Sequence, residues 1–215
     1  MATYSPPDSN CPLCPRLCRY REHNRKQYPD FFNAPVPSFG SLDAPLLIVG
    51  LAPGLKGANQ SGRPFTGDYA GIILYNALLK LGFARGEYKE RADDGLTLVD
   101  CRITNAVRCV PPENKPEPSE IKNCNAFLKN EIAAMPNLKL ILSLGLISHN
   151  AVLGALGHKA SHVKFAHGAA YRLSSLHLLD SYHCSRYNIN TGRLTIPMFD
   201  AVMEKACIIL RTAKQ

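Results

Sequence analysis

Residues 46–71 read LLIVGLAPGLKGANQSGRPFTGDYAG, and this stretch organises the chain. It opens as a short apolar strand, then breaks into a polar loop with five glycines between Gly50 and Gly67. The loop closes on Asp68, just ahead of the apolar-periodic run IILYNALLKLG. A strand, a long Gly-rich loop carrying one acid, and a helix form the arrangement in which open α/β sheets place their ligand sites. The loop is too long and too polar to be a plain connector.

Outward from this centre, strand and helix patterns alternate. CPLCPRLCRYREHNRKQYP (11–29) is a basic segment that becomes helical at Pro15 and ends near Pro29, and FFNAPVPSFG (31–40) delivers an extended chain to the first strand at 45–49. A helix is expected from Tyr69 to about Leu81, then a charged loop, then a second strand in TLVDCRITNAV (97–107), rich in β-branched residues. Ser119 is placed to cap a helix running through Ala134. LKLILSLG (138–145) reads as a third strand covered on both faces, LISHNAVLGALG (146–157) as a helix, and VKFAHGAAYRL (163–173) as a small hairpin. LHLLDSYHCS (176–185) is the fourth strand with its exit loop, and FDAVMEKACIILRTAK (199–214) the last helix. The pattern predicts a three-layer α/β/α fold around a central, mostly parallel four-stranded sheet, as one domain over residues 1–215 with residues 1–10 flexible.

Twenty-five basic residues against 17 acidic ones leave a net charge of +8, a balance that favours a polyanionic partner such as nucleic acid. No run approaches the ~20 apolar residues of a membrane span, and MATYSPPDSN lacks a signal-peptide pattern, so a cytoplasmic protein with reduced thiols is expected.

Eight cysteines then point to metal ligation or inert packing rather than disulfides. Cys11 and Cys14 form a C-x2-C pair, and Cys109 and Cys124 a C-x14-C pair. Four thiolates from a short pair and a distant pair can close a tetrahedral site, and their softness selects zinc or iron–sulfur. The second pair is too widely spaced for a zinc ribbon and suits a larger 4Fe-4S cluster. Prolines at 12, 15, 111 and 112 hug three of the four cysteines. Cys18, one helical turn past Cys14, is an alternative to Cys11 or Cys14. Cys101 and Cys207 fit as small core residues, while Cys184 lies in a candidate site loop.

Three motifs in order, GLAPGLKGANQSGRPFTGD (50–68), TNAVRC (104–109) followed by PP and a second cysteine, and SYHCSRYNINTGRLT (181–195), resemble the uracil-DNA glycosylase superfamily. The nearest branch is family 5, the iron–sulfur-containing, broad-specificity type-B enzymes. The resemblance implies a monofunctional glycosylase that flips uracil, and other deaminated bases such as hypoxanthine and xanthine, out of DNA and hydrolyses the N-glycosidic bond. It implies no membrane partner, a monomer, and the cytosol of a bacterium or archaeon.

By the same resemblance Phe65 stacks on the flipped base, with Gly50, Leu51 and Ala52 beside it. Asn105 reads the base edge, since an amide can donate and accept at once. His183 bonds a base carbonyl and stabilises the departing anion. Many superfamily members carry a polar water-activating residue where Leu51 and Ala52 stand here. Family 5 instead uses an acid further along the loop, matching Asp68, which is equally placed to cap the following helix. Gln60, Arg63, Ser185, Arg186, Asn188 and Asn190 are expected to grip DNA, with phosphate contacts from the amides of Gly54 and Gly57. Arg186 or Tyr187 is the candidate wedge into the base stack. Two other readings stay open: a strictly uracil-specific enzyme like family 4, and a non-catalytic DNA-binding module stapled by its metal.

Overall fold

In the computed structural model, which describes residues 4–212, the opening strand is β1 (Leu46–Gly50), preceded by helix α1 (Pro15–Gln27). A single-turn helix α2 (Ala58–Ser61) and the helix α3 (Tyr69–Lys80) follow the Gly-rich loop. Next come the two-residue strands β2 (Ala84–Arg85) and β3 (Thr97–Leu98), strand β4 (Cys101–Asn105) and helix α4 (Pro118–Ala133). The second half holds β5 (Leu140–Leu144), α5 (Leu146–Ala155), β6 (Ala170–Leu173), β7 (Leu176–Ser181), α6 (Arg186–Asn190) and α7 (Ile196–Thr212). The last two residues expected in the final helix, and the first three of the expected flexible tail, lie outside the described residues.

The sheet order is β4-β1-β5-β7-β6, with β6 alone antiparallel. Counted over its parallel strands this is a doubly wound order. β4 lies on one side of β1, and β5 crosses to the other, so the crevice at the carboxyl ends of β1 and β5 is the switch point where such sheets bind ligands. The sheet has five strands, not the four expected. The fifth comes from the segment expected to form its own hairpin, whose second half pairs with β7 across a tight turn, where Ser174 takes φ 56°. The expected second strand is likewise broken: Asp100 at φ 51° separates β3, which pairs with β2, from β4, which pairs with β1.

Alternation along β1 divides the core. Leu46 and Ile48 face one layer with Leu74 and Leu78 of α3 and Phe199 and Met203 of α7. Leu47 and Val49 face the other with Leu128 of α4 and Val152 of α5. All four β1 side chains are fully buried, each contributing about 1.5–3 kcal/mol of transfer free energy. The cap of α4 lies two residues before the expected Ser119. Glu117 is the cap, Pro118 opens the first turn, and the Glu120 carboxylate accepts from the Glu117 N–H at 2.8 Å. No helix among the described residues is long and apolar enough to cross a membrane. Residues 4–10 form no helix or strand but are held: the Tyr4 hydroxyl meets Ser38 Oγ at 3.5 Å and its ring lies under the Arg102 guanidinium, while Arg25 donates to Ser9 and Asn10.

Candidate active site

The loop leaving β1 folds back over the strand's own end. Gly50 faces Asn105 across the β1–β4 pair, and a Cβ at Gly50 would stand 2.4 Å from Asn105 Oδ1 and 2.6 Å from Phe65 Cζ. Only glycine lets that amide and that ring close over the strand end. Phe65 takes φ 53°, rare for an aromatic residue, and stays there because its neighbours are tied down. Tyr75 Oη donates to Pro64 O at 2.7 Å and Tyr88 Oη donates to Phe65 O at 3.1 Å. The Phe65 ring, 5% exposed, stacks on His183 with centroids 5.8 Å apart and planes at 23°.

Asp68 is the N-cap of α3, with Oδ1 accepting from Gly71 N at 2.8 Å. Its other oxygen faces the Gly54–Gly57 turn, where a Cβ at Gly57 would meet Oδ2 at 2.8 Å. Burial raises its pKa, and the backbone N–H groups of Gly71 and Ala70 oppose that rise. His183 follows β7, where Asn188 Nδ2 donates to its carbonyl at 2.8 Å and Ser185 Oγ, capping α6, accepts from Asn188 N at 3.3 Å. Burial depresses the His183 imidazole to about 4, so it is neutral at neutral pH and one of its nitrogens carries a proton to donate.

Phe65, Asp68, Asn105 and His183, with Ala52, line one small inner cleft. This opens into a chamber of about 690 Å³ that Leu51, Asp68, His183, Ser185, Arg186 and Asn188 also line. Four of the expected DNA contacts are not in it. Gln60 and Asn190 are exposed outside the cavity. The Gly57 N–H is already donated to Gly54 O at 3.2 Å. Arg63 is the plain correction: it is 5% exposed and forks onto Asp94 at 2.8 and 2.7 Å. Its guanidinium also lies over Phe39, Tyr75 and Tyr88, because a loop that curls this tightly needs an internal cross-brace. Cys184 is a core residue whose thiol donates to Ala70 O at 3.5 Å. The sequence reading missed the far side of the chamber, formed by Leu146, Ile147, Phe165, Tyr182 and Arg193. Its one sequence signal was a pair of apolar residues, Leu146 and Ile147, set immediately after a strand-end glycine.

A second pocket gathers Cys11, Cys14, Cys18, Cys109 and Cys124. Helices α1 and α4 bring them there: Arg16 forks onto Glu120 at 2.8 and 2.7 Å, and Asn123 Nδ2 donates to Leu13 O at 2.8 Å. Among the described residues no three His, Cys, Asp or Glu side chains converge as a single metal ion requires. A polynuclear cluster needs a wider spread of thiolates than one ion does. The surroundings suit an anion. Arg21 is 4% exposed, donates to Cys11 O at 3.2 Å and faces Cys109 Sγ at 3.9 Å, and its buried Nε has no partner. Among the described residues its only carboxylate neighbour is exposed Glu22, at 4.0 Å. A buried cation so placed is costly unless the cysteines supply the counter-charge. The Arg108 N–H and the Asn123 amide also point at sulfur, on Cys124 at 3.4 Å and Cys14 at 3.8 Å. Burial pushes the Cys109 thiol up to about 12, so that thiol stays protonated unless a metal displaces its proton. The donor set fits an iron–sulfur cluster.

Residues 37–207 match the model of the uracil DNA glycosylase superfamily. A type-5 uracil-DNA glycosylase of Thermus thermophilus is 43% identical over 202 residues, covering 91% of this chain and 92% of the relative. One of Pyrobaculum aerophilum is 38% identical over 201 residues, covering 92% and 88%. A type-4 uracil-DNA glycosylase of Pyrobaculum aerophilum is 35% identical over 164 residues, covering 76% and 69%. The chain belongs to the uracil-DNA glycosylase superfamily and, within it, to the type-5 branch.

Proposed function

We propose that this chain is a monofunctional DNA glycosylase that acts as a monomer, extruding a uracil nucleotide and hydrolysing its N-glycosidic bond, with deaminated purines as further substrates. The observation that carries the reading is the convergence of Phe65, Asp68, Asn105 and His183 on one cleft at the carboxyl ends of the parallel strands. The type-5 and type-4 glycosylase names of its relatives support the uracil chemistry. A chamber of about 690 Å³, far more than a pyrimidine fills, supports the wider base range.

The extruded base packs on Phe65 and presents its polar edge to the Asn105 amide. As the glycosidic bond breaks, its electron pair leaves on the base, and the neutral His183 donates a hydrogen bond to the base carbonyl that gains charge. Asp68 orients a water, whose oxygen adds to the sugar C1′ while Asp68 takes its proton. The sugar passes through an oxocarbenium-like state that the same carboxylate stabilises. Arg186, Ser185, Asn188 and Asn190 hold the DNA backbone. Cys11, Cys14, Cys109 and Cys124 would hold a 4Fe-4S cluster. When bound, it ties the amino-terminal segment to the β4–α4 connection and lends a one-electron couple that the hydrolysis does not use.

The test is incubation of purified protein with oligonucleotides carrying a single uracil, hypoxanthine or xanthine, followed by alkali. Strand cleavage at the modified base is expected. Intact strands throughout would overturn the reading, and cleavage at uracil alone would restrict it to a uracil-specific enzyme.

A further inference from the structure

The far wall of the chamber, which the proposed chemistry leaves unused, is built of aromatic and aliphatic side chains. Phe165 and Tyr182 meet at 5.9 Å between centroids, and Tyr182 stacks on His167 at 5.0 Å. The wall is braced from behind. His149 sets its ring edge-on to Phe165 at 5.6 Å, and its two ring nitrogens meet Asp180 Oδ1 at 2.8 Å and Val163 O at 2.9 Å. That buried bridge fixes the start of the segment carrying Phe165. Beside it, at the entrance to α5, Leu146 and Ile147 stand 54% and 38% exposed, although both are large apolar residues.

The rim carries the opposite chemistry. Arg193 lies over Tyr182 at 4.7 Å and Arg186 over Tyr69 at 5.2 Å, so a guanidinium stands on each of two aromatic rings at the mouth. Asp68 is the single acid among the lining residues. An apolar wall with two cations at its edge, against one acid in the whole lining, matches a nucleotide: the base finds a face, and its phosphates find charge. The wall lines the chamber but not the inner cleft that holds Phe65 and Asn105, and the two spaces share Asp68 and His183.

Building on the glycosylase reading, we propose that the Ile147–Phe165–Tyr182 wall is a second nucleobase subsite, which takes the base of the nucleotide neighbouring the extruded one. Extruding a nucleotide strips its neighbour of one stacking partner, and the wall replaces that partner. The enzyme therefore reads two adjacent bases: one chemically, at the inner cleft, and one by its π-face alone.

The experiment compares single-turnover excision from uracil oligonucleotides whose 5′ or 3′ neighbour is either a normal nucleotide or a stable abasic analogue. With wild-type protein, removing the neighbouring base on one side is expected to slow excision at subsaturating enzyme at least about fivefold, the range of one lost base–aromatic stack. In Ile147→Asn, at an exposed position, and in Phe165→Leu, which keeps bulk but not the ring, that ratio should fall below twofold. A wild-type ratio near one on both sides, or a ratio that both folded variants retain, overturns the subsite and leaves the glycosylase reading intact. Variants that alter the ranking of uracil against hypoxanthine, with the neighbour ratio unchanged, overturn it too, since the wall would then serve the extruded base. No excision from any substrate by wild-type protein overturns both.

Discussion

Phe65 and His183, 118 residues apart in the chain, stack ring on ring at 5.8 Å and 23°. The contact joins the loop after β1 to the loop after β7 and helps bury the imidazole, and burial lowers its pKa to about 4. Its protonation therefore falls well below the range of a free histidine, which titrates at about 6.5. Excision should stay level from pH 8 to about 5 on account of this group and fall as pH approaches 4. Stability follows the same group. The unfolded chain binds a proton near 6.5 that the folded chain refuses until about 4, so His183 makes the fold lose stability as pH falls from 6.5 to 4. Denaturant midpoints across that range should drop more steeply for wild type than for His183→Asn.

Asp68 does two jobs that substitution separates. Its Oδ1 caps α3 through Gly71, while Oδ2 stays free of that bond and faces the cleft. Asn caps a helix about as well as Asp, but it takes no proton from water. Asp68→Asn should keep thermal stability within about 0.5 kcal/mol of wild type while slowing excision at least a hundredfold. Asp68→Ala should show the same kinetic loss and a further loss of about 1 kcal/mol in stability. If Asp68→Asn excises at the wild-type rate, the residue is a cap alone.

Much of this arrangement was legible in the chain, and the parts that were not share a cause. Local patterns placed the four parallel strands, the four long helices after them and the loop that carries Phe65 and Asp68, because apolar runs and glycines act where they stand. Partners distant in sequence decided the rest. Nothing beside Arg63 announces that Asp94 will be its mate and draw it inward. Nothing in AYRL (170–173) shows that it will pair with β7 rather than with the residues before it. Ser119 is a good cap by type, but Pro118 beside it fits the first helical turn better and moves the start back to Glu117. Phe165 reads as one aromatic residue of a small hairpin until the His149–Asp180 bridge brings it to the chamber.

Arg21 offers a test of the cysteine pocket that does not depend on catalysis. A buried guanidinium with an unpartnered Nε beside Cys109 is stabilised if the cysteines hold a cluster and is a liability if they do not. Arg21→Leu should lower the iron retained per chain by at least half through purification, with a matching loss of the broad absorbance near ~400 nm that iron–sulfur proteins show. In iron-free protein the same substitution should raise the melting temperature, because it removes a buried charge that exposed Glu22, at 4.0 Å, compensates only weakly. Equal iron content in the two proteins would mean that Arg21 does not support the cluster.

Arg63 and Arg186 are both arginines of motif segments, and the structure gives them opposite duties. Arg63 is bound bidentately to Asp94, whose side chain is fully buried, and that pairing holds the Asp94 carboxyl far below its ordinary range. Arg186 is exposed at the chamber mouth over Tyr69. Removing Arg63 strands a buried carboxylate, so Arg63→Leu should cost about 3–5 kcal/mol. The salt dependence of DNA binding should stay unchanged, since no phosphate contact is lost. Arg186→Ala should leave the melting temperature within a degree or two and reduce the slope of log K against log salt by about one, the signature of a single phosphate contact. Titrations of both variants across a range of salt concentrations, beside thermal melts, separate the two outcomes. A reduced salt slope in Arg63→Leu at full stability would restore that residue to the DNA-binding face.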